Sequence, residues 1–111
     1  MKLPPDIVIA PEKLRDYLLV LRPADDKSRY LALAGYTRGN WQDLERDLRG
    51  QILTQEAAAL ETTKFGEVYE IRHLLRGPNG VALPVLSIWM KEAETKKTKF
   101  ITLFPNKRRN A

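Results

Sequence analysis

Three apolar runs rich in β-branched and aromatic residues lie between residues 65 and 105, and a turn-forming segment, Gly77-Pro78-Asn79-Gly80, separates the first two. An Asn-Gly pair readily adopts the positive φ angles that a two-residue hairpin turn requires. Apolar and polar residues alternate along the runs, as in strands with one buried face. The segment therefore predicts an antiparallel β-meander.

The register of the first hairpin follows by counting outward from the turn. If Asn79-Gly80 is the two-residue loop, Pro78 faces Val81. One face then carries an apolar set, with Tyr69, Ile71, His73 and Leu75 opposite Met90, Ile88, Leu86 and Pro84. The other face is mixed, with Glu70 and Arg72 opposite Trp89 and Ser87. A slip of one residue would send the apolar set to water.

The third run, Lys99 to Phe104, follows a charged loop, and its alternation leaves two options. Either Ile101 and Leu103 join the core while Phe100, Thr102 and Phe104 face the other way, or the reverse. We prefer the first option because it places Thr102 on the same surface as Arg72, Ser87 and Trp89.

Helical patterns precede the meander. Pro11 begins a first helix with the apolar stripe Leu14, Tyr17, Leu18 and Leu21, and Pro23 ends it. A short strand at Ile7-Val8-Ile9 precedes this helix. Asp25 or Asp26 caps a second helix over Lys27 to Ala34, whose inward residues are Tyr30, Leu31 and Ala34 and whose end is Gly35.

A third helix begins at Asn40, with a buried edge of Trp41, Leu44, Leu48 and Ile52. The charged residues Asp43, Glu45, Arg46, Asp47 and Arg49 are expected to coat its outer side. Gly50 leaves its length open, because residues 51–60 either extend it or restart it. Helices followed by a hairpin-linked sheet predict a single α+β domain, with a helical part over about 11–60, a sheet part over about 64–105 and a basic tail at 106–111. The helices pack on the Tyr69, Ile71 and Leu75 face.

Composition restricts the classes of function. The chain has 111 residues, 43% of them hydrophobic, with no cysteine and one histidine. These counts suit one domain with a modest core and argue against disulfides, thiolate chemistry and a conventional zinc centre, so we expect no metal and no cofactor. No run has the roughly 18 apolar residues of a membrane span, and the first residues lack the apolar segment of a signal peptide. We expect a cytoplasmic protein that binds no membrane.

The net charge of +5 favours a polyanionic partner such as RNA, or an acidic protein. Much of the excess lies in a basic loop and tail that include Lys97, Lys99, Lys107 and Arg108. These four side chains are candidates for contact with RNA phosphates, although basic loops and tails are often only solvated.

A series of short motifs runs from about Ile9 to Pro105: Pro11-Glu12-Lys13-Leu14, Tyr17-Leu18-Leu19, Lys27, Gly35, Trp41, Leu44, Gly66-x-x-Tyr69, Gly77-Pro78-Asn79-Gly80, Ser87-Ile88-Trp89 and Phe100-Ile101-Thr102-x-x-Pro105. This order resembles a family of short bacterial proteins catalogued only as a domain of unknown function. The resemblance implies toxin components, found beside another small gene or as C-terminal modules of polymorphic toxins. The order of helices and sheet is also similar to that of the metal-independent ribonucleases and toxins typified by barnase, EndoU, colicin nucleases and RelE, which is an analogy of fold. His73 departs from the family's pattern, so the resemblance implies no catalytic histidine.

Cleavage of RNA without a metal needs a base for the 2′-hydroxyl, positive charge at the phosphate and a proton for the leaving oxygen. Arg72 is the candidate for gripping the phosphate, Lys27 adds a second positive charge, and Thr102 orients the phosphate. Trp89, beside Ser87, offers a platform for an unpaired base, which is worth about 1–3 kcal/mol. Glu70 is the natural general base, and a tyrosine or His73 is the substitute.

Each candidate also has an ordinary structural interpretation. Arg72 and Glu70 suit an exposed cross-strand pair, and Trp89 suits a buried anchor. The leading hypothesis is a toxin-like ribonuclease held in check by a cognate small acidic antitoxin-like protein. The alternatives are a non-catalytic module that binds RNA or protein, and an antitoxin or immunity-type partner.

Overall fold

The computed structural model describes residues 1–4, 6–20 and 27–106. Helix α1 spans Pro11–Lys13 and continues into a π-helical turn, Leu14–Leu18. Helix α2 spans Ser28–Ala32, and α3 spans Trp41–Asp47, between a 3-10 turn at Arg38–Asn40 and a π-helical turn at Leu48–Ile52. The strands are β1 Ala58–Thr63, β2 Gly66–Arg76, β3 Ala82–Glu92 and β4 Thr98–Pro105.

The four strands form one antiparallel sheet in the order β1-β2-β3-β4, so the prediction of an α+β chain with a β-meander is confirmed. Strand β1 was not expected, since residues 51–60 were assigned to a helix that extends or restarts. Its sequence, AALETT, has little alternation, and every residue but Thr63 is exposed. A strand without a buried face carries no period-2 signal.

The helices pack on one face of the sheet, called here the covered face. Their buried residues include the predicted Leu14, Leu18, Leu31, Leu44, Leu48 and Ile52, whereas Tyr17, Tyr30 and Trp41 of the same predicted stripes are only partly buried. Strands β2 and β3 contribute Tyr69, Ile71, Leu75, Val85 and Trp89 to the same core. The ring of Trp89 meets that of Phe100 edge to face, with centroids 5.1 Å apart.

The predicted hairpin register is wrong by one residue. Tyr69 faces Trp89 rather than Met90, Ile71 faces Ser87, and Leu75 faces Leu83. The shift places Ser87 and Trp89 on the covered face. Their places on the opposite, open face are taken by Leu86, Ile88 and Met90, which lie across from Arg72, Glu70 and Val68.

The turn explains the shift. Gly77 donates its N–H to the carbonyl of Val81, so the loop is the three residues Pro78, Asn79 and Gly80. Only Gly80 has a positive φ, of 89°, whereas the two-residue turn needs one at Asn79 as well. Helix α2 holds Asn79 in place, because the asparagine donates its amide to the carbonyl of Leu33 at 3.1 Å. Tertiary contact therefore selects the longer loop.

Strand β4 follows neither predicted alternation. A β-bulge leaves Ile101 as an extra residue, because Trp89 pairs with Phe100 whereas Ile88 pairs with Thr102. Both Phe100 and Leu103 consequently lie in the core. Thr102 lies on the open face, as the preferred option had placed it.

The N-terminal arm lies along the outer edge of β4. Val8 forms an isolated parallel bridge with Lys99, in place of the short strand predicted at residues 7–9, and Ile7 and Ile9 are buried. Asp47, assigned to the outer face of α3, is instead 8% exposed, and its carboxylate accepts a hydrogen bond from the hydroxyl of Tyr36 at 2.6 Å. Gly35 has the positive φ expected at the end of α2.

The predictions for Leu21, Pro23, Asp25, Asp26, Lys107 and Arg108 lie outside the described residues. Among the described helices, none is long and apolar enough to cross a membrane.

Candidate functional site

Lys27 is the most unusual charged residue of the described chain. It directly precedes α2 and is only 6% exposed. Its ammonium donates to the hydroxyl oxygen of Tyr17 at 3.1 Å. The same nitrogen lies 5.2 Å from the centroid of the Tyr17 ring and 4.8 Å from that of Phe104. Lysine is almost never buried without such partners, because removing its charge from water is costly.

An open groove of about 480 Å³ runs along the outer edge of β4, beside this lysine cluster. One wall is α1 with its π-helical turn, and the other is the bulged part of β4. The lining residues are Ala10, Glu12, Lys13, Tyr17, Ile101 and Thr102. Tyr17 therefore belongs both to the groove wall and to the Lys27 contact. We call these six residues, with Lys27, the edge groove.

Thr102 contributes a polar group with unmet hydrogen bonding. Its hydroxyl oxygen is buried and has no hydrogen-bond partner within residues 1–4, 6–20 and 27–106. Buried hydroxyls are normally paired, and an orphan of this kind calls for an explanation in terms of strain, water or a ligand. The bulge at Ile101 is the local feature that presents Thr102 at the groove.

Arg72 and Glu70 lie on the open face at a distance from the edge groove. The Arg72 guanidinium bonds Glu70 through Nε at 3.1 Å and Nη2 at 3.4 Å. Glu70 faces Ile88, which in turn faces Thr102, so two strand spacings, about 10 Å, separate the backbones of Glu70 and Thr102. The structure therefore places Arg72, Glu70 and Thr102 on one face, as predicted, but it brings neither Glu70 nor Arg72 into the groove.

Trp89 and Ser87 do not form part of an open surface. Both are fully buried at 0% exposure. The Trp89 indole donates to the Ser87 hydroxyl at 2.8 Å, and that hydroxyl donates to the carbonyl of Ile71 at 3.0 Å. The prediction that Trp89 offers a base platform beside Ser87 placed them on the wrong face, because it depended on the two-residue turn. They form a buried polar anchor between β2 and β3.

The remaining candidates are scattered. His73 is exposed and faces Val85, so it points to the covered side, away from Arg72. Lys97 is exposed in the loop before β4. Lys99 forms an ion pair with Glu92 at 2.6 Å, and this contact lowers the pKa of the Glu92 carboxyl. A larger groove, of about 580 Å³, lies at this end and is lined by Lys64, Phe65 and Lys99 among others, and of its two lysines Lys99 is paired with Glu92.

Sequence reasoning missed four residues of this region: Glu12, Lys13, Tyr17 and Phe104. Tyr17 was assigned to the core because it belongs to the helical stripe, although it is only partly buried. The usable signal was weak. Lys13 and Tyr17 lie one helical turn apart, which places a cation and a phenol on one helix face.

The open face is otherwise apolar. On this face Leu74 is 51% exposed and Phe104 is 38% exposed. Val68, Leu86, Ile88 and Met90 are partly exposed. Apart from the Arg72–Glu70 pair, this face is a candidate contact surface.

Comparison with known protein families gives one match. A model described as "Domain of unknown function (DUF6883)" covers residues 3–107. The chain belongs to this family. Searches of curated proteins and of solved structures found no match. The edge groove of this DUF6883 chain lies entirely inside the matched region. Because the family description names no activity, any chemistry assigned to the groove has to follow from its geometry.

Proposed function

We propose that this DUF6883 chain is a toxin-like, metal-independent ribonuclease whose reaction centre is the edge groove. The observation that carries the proposal is the buried ammonium of Lys27, held at 3.1 Å from the Tyr17 hydroxyl beside a groove lined by the orphan hydroxyl of Thr102. A cation can stabilise the charge that develops on the phosphate, and a tyrosine hydroxyl can supply the proton for the leaving oxygen.

The groove residues suggest a division of roles. Glu12 carries the carboxylate among the lining residues and would take the proton of the ribose 2′-hydroxyl. The 2′-oxygen would form a bond to phosphorus while the bond from phosphorus to the 5′-oxygen breaks. Tyr17 would give its proton to the departing 5′-oxygen and regain one from Lys27. The Thr102 hydroxyl, turned about χ1, would donate to a phosphate oxygen.

The reaction class fits the residues available. Within residues 1–4, 6–20 and 27–106, no group of three or more His, Asp or Glu side chains is placed to hold a metal ion. The net charge of +5 favours a polyanionic substrate and an acidic protein inhibitor. An antitoxin-like partner with net negative charge and a cytoplasmic site of action remain part of this proposal.

The experiment is RNA cleavage by the purified chain in the presence of EDTA. We expect products that end in a 2′,3′-cyclic phosphate, and no cleavage of the same sequence made entirely of 2′-O-methyl RNA, which lacks the attacking hydroxyl. Glu12→Gln should slow cleavage by about 100-fold if the carboxylate is the base. RNA that stays intact at high enzyme concentration would contradict the proposal.

The open face favours a second candidate, a non-catalytic module that binds a partner through its sheet. Its partly exposed apolar residues resemble the core of a docking surface more than a solvated face. Retention of intact RNA, with binding that weakens steeply as salt rises, would favour this function.

A further inference from the structure

We infer that the open face next to the edge groove is a track for single-stranded RNA, with Phe104 as the platform for one unpaired base and Arg72 as the contact to a neighbouring phosphate. This inference rests on the proposed function and names its substrate class. Phe104, which is exposed on the open face, takes the role of base platform that was predicted for the buried Trp89.

Phe104 has the position that a base platform needs. It is 38% exposed on the open face, and the described chain has only one other exposed phenylalanine, Phe65. Phe104 and Thr102 are two residues apart on one face of β4, about 7 Å along the strand. A nucleotide whose base stacks on Phe104 would therefore carry its phosphate next to the groove. The Lys27 ammonium, 4.8 Å from the ring centroid, adds positive charge at this point.

Arg72 lies in the same cross-strand row. It faces Leu86, which faces Phe104, so two strand spacings, about 10 Å, separate the two backbones. The Arg72 side chain is 50% exposed, and its two bonds to Glu70 use two of the five guanidinium N–H donors. The two hydrogen bonds to Glu70 hold the Arg72 guanidinium in one orientation. Its remaining N–H groups can donate to a phosphate. Leu86 between them provides an apolar floor.

The geometry favours an unpaired strand. A base can stack on an aromatic side chain only when it is splayed out of a helix, and four-stranded antiparallel sheets with an aromatic on an open face bind single strands in this way. The apolar neighbours Ile88 and Met90 would face sugar and base edges rather than phosphates. A duplex presents its phosphates outward and would find few cations here.

The test measures binding of an all-2′-O-methyl RNA octamer, which cannot be cut, by fluorescence anisotropy with the full chain. Phe104→Leu should weaken binding about tenfold or more, whereas Phe104→Tyr should retain it. Phe65→Leu is the matched control and should bind as the wild type does. A duplex of the same sequence should bind far more weakly than the single strand.

Arg72→Gln should lower the slope of log affinity against log salt by about one, the contribution of one phosphate contact. Lys91→Gln, at an exposed position of β3 on the other side of the sheet, should leave that slope unchanged. Thermal unfolding of each variant checks that the fold persists, and the Tyr variant tests the platform if the Leu variant is unstable.

The outcomes separate the two proposals. Cleavage of ordinary RNA with normal binding and cleavage by Phe104→Leu would overturn the track but not the reaction centre. Tight, Phe104-dependent binding without cleavage would support the track and contradict the ribonuclease. A wild-type chain that does not bind the octamer would overturn the track.

Discussion

The Lys27 ammonium donates a hydrogen bond to the Tyr17 hydroxyl at 3.1 Å, across ten residues of sequence. The contact joins the start of α2 to the π-helical turn that follows α1. Tyr17 lines the edge groove, so the buried positive charge is one hydrogen bond away from a groove residue. This juxtaposition is the basis of the proposed reaction centre.

Removing only the Tyr17 hydroxyl tests its part in proton transfer. Tyr17→Phe keeps a ring for the Lys27 ammonium but removes the acidic proton, so we expect RNA cleavage to fall by about 100-fold. Stability should fall by about 1–3 kcal/mol, because the buried Lys27 ammonium loses one hydrogen-bond acceptor, and the rate is therefore compared per folded molecule. Tyr69→Phe, which removes a hydroxyl that donates to Glu67 at 2.8 Å on β2, should cleave normally. Equal rates for both variants would exclude Tyr17 as the acid.

Ser87 is predicted to matter for stability alone. Ser87→Ala leaves the buried indole N–H of Trp89 without its acceptor, which should cost about 1–3 kcal/mol in urea unfolding. Thr62→Ala, at an exposed position of β1, should stay within about 0.5 kcal/mol. Activity per folded molecule should not change. If Ser87→Ala has normal stability but no longer cleaves RNA, Ser87 takes part in the reaction and the prediction is wrong.

Asp16 links the π-helical turn after α1 to the 3-10 turn before α3 in a pH-dependent way. Hydrogen bonds from Arg15 and Arg38 lower the pKa of its carboxyl from 3.8 to about 2. A lowered folded-state pKa stabilises the native state above the unfolded pKa, and this contribution is lost as pH falls from about 4 through about 2. Carboxyl NMR titration should show a midpoint near 2. Arg38→Gln should raise that midpoint, and a wild-type midpoint near 4 would refute the contact.

Two glycines offer a matched test of packing around the turn. A Cβ atom at Gly77 would lie 2.0 Å from the carbonyl oxygen of Ala34, whereas one at Gly50 would meet nothing within 4 Å. Gly77→Ala should therefore destabilise the fold by about 1–3 kcal/mol or more. Gly50→Ala, in a helical turn, should stabilise it by about 0.5–1 kcal/mol. Similar melting temperatures for the two variants would contradict the close approach of α2 to the turn.

The sequence was informative where local patterns and tertiary packing agree. The stripe of Leu14 and Leu18 and the cap at Gly35 follow from helix periodicity and backbone sterics, and both are present. The presence of strands β2, β3 and β4 also follows from the apolar runs, although the bulge in β4 does not. Strand β1 does not, because its exposed residues give no pattern.

The site was less predictable, because the conformation of one turn decides which residues of β3 lie on each face of the sheet. Asn79 binds the end of α2, and the loop is one residue longer than predicted. Trp89, rather than Met90, therefore lies opposite Tyr69. No local propensity reports that contact. The proximity of Lys27 to Tyr17 and Phe104 likewise joins three distant segments, and only the folded chain brings them together.

The most direct measurement is the single-turnover rate of RNA cleavage in EDTA by Lys27→Met, compared with Lys91→Met at an exposed position of β3. Both variants lose one positive charge and keep a long side chain, but only the first removes the ammonium from Tyr17 and Phe104. With both variants folded, we predict that Lys27→Met loses at least about 100-fold in rate while Lys91→Met retains the wild-type rate. Equal rates for the two variants would contradict a reaction centre at Lys27.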